Sequence, residues 1–417
     1  MKPGAALSWL FLDLNSYFAS VEQQINPALR GKPVVVVPMM TDYTCAIAAS
    51  YEAKAYGIKT GTGIAEAKKL CPRLHCVLAR HDQYVRYHHR IVDEFVRHTP
   101  LNKVWSIDEM SSRLPTGKRT LQAATDLAHA LREGIWENVG HYINGSIGIA
   151  PNSFLAKVAT DMKKPNGLVI LQHEDMHERL FTLDLIDLPG INTRMLERLR
   201  QAGITSVEKL WHISPKHARM IWGSVNGERF WYNLHGYDVP DQPTNPGMIG
   251  HSRILDPELR PVDKARQVAR RLTLKAATRL RRMGFYATRC HLSVRLADGP
   301  RWSGEMQLHP AQDNFTFVHS LDAMWDIMRT EERPVKIKKI SVTLHGLRKP
   351  EDITLDFFHT ETIQGKRQQS LSLLMDDINE KYGAETLRLG ISPRTQAGYL
   401  GTKIAFSRVP DLAEFAE

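Results

Sequence analysis

The stretch Val104–Ser112, VWSIDEMSS, sets an aspartate beside a glutamate after a run that otherwise reads as a buried strand. Side chains alternate faces along a regular strand, so only one of Asp108 and Glu109 could face water while the other would be buried. A buried carboxylate is costly unless something cationic meets it, and the pair therefore implies a positive partner.

Working outward, Leu7–Leu14 (LSWLFLDL) is a short continuous apolar run ending in a charge, the pattern of a strand buried on both faces that delivers Asp13 to a sheet edge. The residues after it have helical spacing at Phe18, Val21 and Ile25, with Asn15 or Ser16 available as N-cap. KPVVVVP reads as a second strand, and TCAIAASYEAKAYGI as a strand running into a helix that stops at Gly57. A long helix through YVRYHHRIVDEFVRHT and another from about Leu121 to Trp136 flank the carboxylate stretch. Strands alternating with helices predict an α/β or α+β organisation.

At 417 residues the chain predicts two to four domains, and 42% hydrophobic with 24% charged residues is the composition of a globular protein. A formal net charge of +10 and a pI near 9.3 favour a polyanionic partner, nucleic acid first. Four scattered cysteines exclude a disulfide framework, and Cys71, His75 and Cys76 form half a zinc pattern with no second cluster to complete it. Asp13 interrupts the N-terminal apolar run as a signal peptide would not, and no run approaches a membrane span, which predicts a cytosolic protein without a membrane partner.

Beyond PNGLVIL the texture shifts to short helices. LPGINTRMLERLRQAGITSVEKL has the turn pattern of a helix-hairpin-helix, which presents backbone N–H groups to phosphate at Gly190 and Asn192. Asp238–Met248 reads as a linker. After it comes a helix with an apolar stripe at Ala265, Val268, Leu272, Ala276 and Leu280 and an otherwise basic surface. Two strands follow. In the first, Leu292, Val294 and Leu296 share one face and Arg289, His291, Ser293 and Arg295 the other; Lys336 and Lys338 come from the second. Such a sheet suits a nucleic-acid backbone.

Taken in order, FLDLNSYFASVE, AASYEAKAYGI, WSIDEM, GSIGIAPNSFLAKVATDMKKPNGL, the hairpin and the basic module resemble the Y-family of translesion DNA polymerases over roughly residues 5 to 350. The resemblance implies a right-hand polymerase of α/β and α+β domains. Its palm would span 1–18 and 80–175, its fingers 19–79, its helix-hairpin-helix thumb 176–240, a linker 241–248, its little finger 249–349 and a C-terminal extension 350–417. It implies a low-fidelity, template-directed enzyme of DNA damage repair and the SOS response, cytoplasmic and nucleoid-associated, acting on primer-template DNA and deoxynucleoside triphosphates. Two Mg²⁺ ions about 4 Å apart, or Mn²⁺ in their place, would be held by Asp13, Asp108, Glu109 and the Leu14 carbonyl. Both acids would then face the same ions, which requires a turn or bulge at Asp108-Glu109. Phe18 would be the steric gate against a ribose 2′-hydroxyl, with Tyr17 beside it, and Tyr51, Lys54 and Lys164 would hold the triphosphate.

Several positions depart from the family pattern. Lys54 stands where arginine is usual, a compact charge in place of a planar fork. Asn192 stands where glycine is common, a tolerable change because asparagine accepts left-handed conformations. Met110-Ser111-Ser112-Arg113 and Ser153 are further departures. Gln368, Leu371 and Leu373 fit a sliding-clamp peptide loosely, while Leu371, Leu374 and Ile378 have the spacing of a packed helix face. A non-catalytic DNA-binding scaffold is the alternative function, and the intact carboxylate trio argues against it. A nucleotide cyclase on the same palm would lack the hairpin and the basic module.

Overall fold

The computed structural model describes residues 7–240, 246–297, 299–353 and 363–383, with isolated positions at 386, 387, 389 and 409. The chain parts into two compact units at residues 241–242.

The first unit begins with β1 (Trp9–Leu14), α1 (Tyr17–Ile25), β2 (Val34–Val37), β3 (Ala48–Ala49), α2 (Tyr51–Lys54), α3 (Ile64–Leu70), β4 (His75–Leu78) and α4 (His81–His98). It continues with β5 (Lys103–Val104), β6 (Glu109–Arg113), α5 (Leu121–Asn138), β7 (Gly145–Ala150), α6 (Ser153–Met162) and β8 (Leu168–Ile170). Then come α7 (Met176–Phe181), α8 (Thr193–Gln201), α9 (Val207–Trp211), α10 (Pro215–Trp222) and α11 (Val225–Leu234).

β1 is the middle strand of a five-stranded sheet, β5-β6-β1-β7-β8, antiparallel to both neighbours. Its alternation is used on both faces. Leu10, Leu12 and Leu14 pack with α1, α4 and α5, while Phe11 joins the core formed with α6. Gly148 on β7 lets α6 come this close, since a Cβ there would stand 2.0 Å from the Ala156 carbonyl oxygen. The four valines of β2 are all buried in a separate three-stranded sheet, β3-β2-β4.

α1 starts differently from the expectation. Ser16 adopts φ 50° and makes no cap bond, and Asn15, the other candidate, is drawn away to Ser146 and the Asn166 amide. α2 ends at Lys54 rather than Gly57, whose φ of +80° turns the chain back. Asp238, expected in the linker, is anchored: it accepts from Trp9 Nε1 at 3.1 Å and pairs with Arg113 at 3.0 Å. Residues 241–245 of that linker lie outside the described ones, and Met248 already belongs to the next strand.

The second unit holds β9 (Met248–Ile254), α12 (Val262–Arg282), β10 (Tyr286–Leu296), β11 (Arg301–Ala311), α13 (Asn314–Glu332), β12 (Ile337–Arg348) and α14 (Ile363–Tyr382). Its antiparallel sheet, ordered β11-β10-β12-β9, packs Leu292, Val294, Ile340 and Val342 against α12 and α13. Of the stripe on α12, Ala265, Val268, Ala276 and Leu280 are buried as the spacing predicts, and Leu272 is half-buried against the same core. α14 packs otherwise than predicted. Leu371, Leu373 and Leu374 are exposed, and the buried residues are Ser372 and Met375. The reason is polar: the buried Arg281 guanidinium pairs with Asp376, and Ser372 Oγ accepts from the Asn314 amide, which rotates that face inward.

Candidate active site

Asp13 and Glu109 are cross-strand partners on β1 and β6. Before β6 the chain bends over Ser106–Asp108: the Trp105 and Ser106 amides both donate to the Glu109 carbonyl, at 2.9 and 3.3 Å. Asp108 is thus held in the bend, where its carbonyl accepts from the Leu14 amide at 2.8 Å. The unbroken strand that would send the two acids to opposite faces is interrupted between β5 and β6. His88 fixes the bend from behind, its Nδ1 2.7 Å from the Ile107 carbonyl.

The cation implied by the acidic pair is Lys157, on α6. Its ammonium contacts Asp13 Oδ2, Glu109 Oε1 at 2.9 Å and Asp161 Oδ2 at 3.4 Å. Lys164 adds 2.9 Å to the same Asp13 oxygen and 2.7 Å to Asp161. Lys157 is the site residue that the sequence reading missed. The available signal was Lys157, Asp161 and Lys164 at spacings of four and three, one face of a helix and its exit.

Asp108 has no cation among the described residues; its carboxylate accepts from Ser106 Oγ. Desolvation raises its pKa, the Ser106 bond opposes this, and the charges of Asp13 and Glu109 raise it further. Three carboxylates so close, one uncompensated, are hard oxygen donors with the charge to hold a divalent ion. Among the described residues no three such groups yet close on a common point, and Lys157 stands between Asp13 and Glu109.

The expected nucleotide residues divide. Phe18 is half-buried against Tyr84. Tyr17 is a correction: it is buried, and its hydroxyl donates to the Tyr84 carbonyl at 2.7 Å, so it faces the core and not a ligand. Tyr51 opens α2, capped by Ser50, and burial raises its phenol pKa, keeping it a neutral donor. The Lys54 ammonium lies 4.3 Å from the Tyr51 ring centroid. Its pKa is lowered by desolvation and by Lys164, and raised by Asp13, which places these groups in one neighbourhood. The turn after Lys164 is tied down by Asn15, whose Oδ1 accepts from the Asn166 amide at 2.7 Å, and by Ser146 Oγ, which accepts from the Gly167 amide at 3.3 Å.

At the hairpin Gly190 takes φ +94°, a conformation open to glycine. Asn192 does not. It is extended at φ −95° and caps α8 by accepting from the Met195 amide, leaving the first amides of α8 free of intrahelical partners. On β10 the outward residues Arg289, His291, Ser293 and Arg295 are opposite His345, Thr343, Ser341 and Lys339. Lys336 and Lys338 are exposed; Lys339 faces Arg295 in the regular register, and the shift beyond it, where Leu296 pairs with Ile337, leaves Lys338 as the extra residue of β12. Glu305 interrupts this basic face, bonded to Arg289 and His345. Among the described residues no helix is long and apolar enough to cross a membrane.

The fold is shared with solved Y-family DNA polymerases. A Y-family chimera of Dbh and Dpo4 superposes with a TM-score of 0.68 at 23% identity, covering 82% of this chain and 99% of the other. DinB from Sulfolobus solfataricus gives 0.52 at 22% identity, covering 81% and 98%. The fold is that of a multidomain polymerase mixing helix and sheet. The model of the impB/mucB/samB family matches residues 12–161, and that of its C-terminal domain residues 246–357. The chain belongs to this family. DNA polymerase IV of Moorella thermoacetica is 31% identical over 408 residues, covering 94% of this chain and 98% of the relative. DNA polymerase IV of Bacillus velezensis is 30% identical over 390 residues, covering 91% of each.

Proposed function

We infer that this protein is a template-directed DNA polymerase of low fidelity that performs translesion synthesis on primed DNA with deoxynucleoside triphosphates and divalent metal. The observation that carries the reading is the placement of Asp13, Asp108 and Glu109 in one neighbourhood at the β1–β6 junction of a family fold. Asp13, Asp108, Glu109 and the Leu14 carbonyl would hold two Mg²⁺ ions, or Mn²⁺. When bound, the ions supply charge stabilisation to the attacking and leaving oxygens of an in-line phosphoryl displacement.

The remaining residues position the nucleotide. Lys164, held over Asp13 and Asp161, offers a point charge to the triphosphate, with Tyr51 as a hydroxyl donor and Lys54 as a second charge. Phe18, backed by Tyr84, closes the space a 2′-hydroxyl would need. Residues 1–18 and 80–175 serve as palm, 19–79 as fingers, 176–240 as thumb and 249–349 as little finger. The small fingers leave little material to close over a nascent pair, which supports loose fidelity. The amides opening α8 and the β10–β12 face are suited to the DNA backbone. Work on the chromosome in the cytoplasm, with recruitment by a sliding clamp through the exposed leucines near Gln368, extends the same reading.

Primer extension on an undamaged and on a lesion-bearing template tests it. The parent should extend both in Mg²⁺, and Asp108→Ala should lose at least about a thousandfold in rate. DNA binding without extension in any divalent metal would support the scaffold instead.

A further inference from the structure

We propose that Lys157 is the resident cation of the carboxylate centre, displaced when a divalent ion binds, so that this lysine sets how tightly the metal is held. The proposal rests on reading the centre as a metal site.

An ammonium group has three donors, and here three carboxylates take them: Asp13, Glu109 at 2.9 Å and Asp161 at 3.4 Å. The Lys157 side chain is only 19% exposed, so these are contacts of a fixed group rather than of a surface lysine. The oxygens it occupies on Asp13 and Glu109 belong to two of the three acids a metal would need. A divalent cation bonds carboxylate oxygen at about 2.0–2.1 Å, and an ammonium hydrogen-bonded to the same two groups would meet it at close range with like charge. The two cations exclude one another there.

The structure also provides a place for the displaced group. Asp161 lies one helical turn along α6 from Lys157, and the Phe11 ring centroid is 5.6 Å from Nζ. A flexible four-carbon stem can keep the Asp161 pair and the aromatic face while releasing Asp13 and Glu109. Gly148 holds α6 against the sheet, so only the side chain needs to move. In the metal-free protein the same lysine offsets the repulsion between Asp13 and Glu109, which face each other across β1 and β6.

The test is Mn²⁺ binding to the full-length protein without nucleotide or DNA, followed by electron paramagnetic resonance of the free ion, together with thermal unfolding with and without Mn²⁺. Lys157→Met should bind Mn²⁺ about tenfold more tightly than the parent, the scale of one charge-assisted bond lost by the competitor. It should also melt lower than the parent in chelator and gain more from Mn²⁺. Lys157→Gln should move in the same direction if Lys157→Met folds poorly, and Lys157→Arg, which keeps the charge, should not tighten binding. Equal or weaker Mn²⁺ binding by both neutral variants would overturn the role of Lys157. Mn²⁺ binding that is absent from the parent and from both neutral variants, or indifferent to Asp13→Asn, would instead overturn the metal-site reading, and the proposal with it.

Discussion

Phe18 and Tyr84 lie face to face, their ring centroids 4.3 Å apart and their planes 12° from parallel. Tyr84 is fully buried, and its hydroxyl donates to Glu22, itself buried and paired with Arg80. The ring behind Phe18 is held in place, and a 2′-hydroxyl pressing on Phe18 would meet a stack rather than a loose side chain. Phe18→Ala should cut discrimination against ribonucleotides by about a hundredfold in single-nucleotide extension. Tyr84→Ala should act in the same direction with a smaller effect, and unchanged discrimination in Phe18→Ala would count against the gate.

Acid should loosen the centre through His88. Burial pulls its pKa from 6.5 down to about 4, with the Ile107 bond opposing. The unfolded chain takes up the proton first, so this contribution is complete above about pH 6.5 and is lost as pH falls toward 4. The loss is on the order of 3 kcal/mol at the acid end. Denaturant unfolding at pH 7 and pH 4.5 should show a smaller pH dependence for His88→Gln than for the parent; equal dependences would exclude His88 as the source.

Lys54 leans on the Tyr51 ring with a burial-lowered pKa, where arginine would keep its charge and offer a planar fork. Lys54→Arg should lower the Michaelis constant for deoxynucleotide severalfold with little change in turnover. Steady-state kinetics decides, and an unchanged constant would rule out a phosphate contact at this position.

Arg295 and Lys339, exposed and opposite each other on β10 and β12, are the pair on that face proposed to meet the DNA backbone. Replacing both with alanine should reduce the slope of log affinity against log salt by about two, one for each phosphate contact. Anisotropy titrations of primed DNA over a range of KCl measure this. A preserved slope with weaker affinity would point to a structural effect.

The acids Asp13, Asp108 and Glu109 were legible because each lies within a short apolar strand pattern, and local alternation is a property of sequence. Lys157 was not. Its partners are 144 and 48 positions away, and only the packing of α6 over Gly148 brings them within reach. Asn192 was read for its tolerance of a left-handed turn, but in the fold it is extended and its side chain caps α8.

Helical spacing in α14 named Leu371 and Leu374 as the buried face, yet the buried pair of Arg281 and Asp376 turned the helix the other way. A leucine left in water costs less than an unpaired buried guanidinium, so the ion pair decided the rotation. Lys338 is left exposed as the extra residue of a register shift that no residue type announced. The sequence by itself determined which elements form, the family and the three carboxylates, because periodicity and motif spacing are local. Only the tertiary structure decided which cation answers those carboxylates and which faces meet solvent, because charge pairing and strand register depend on groups far apart along the chain.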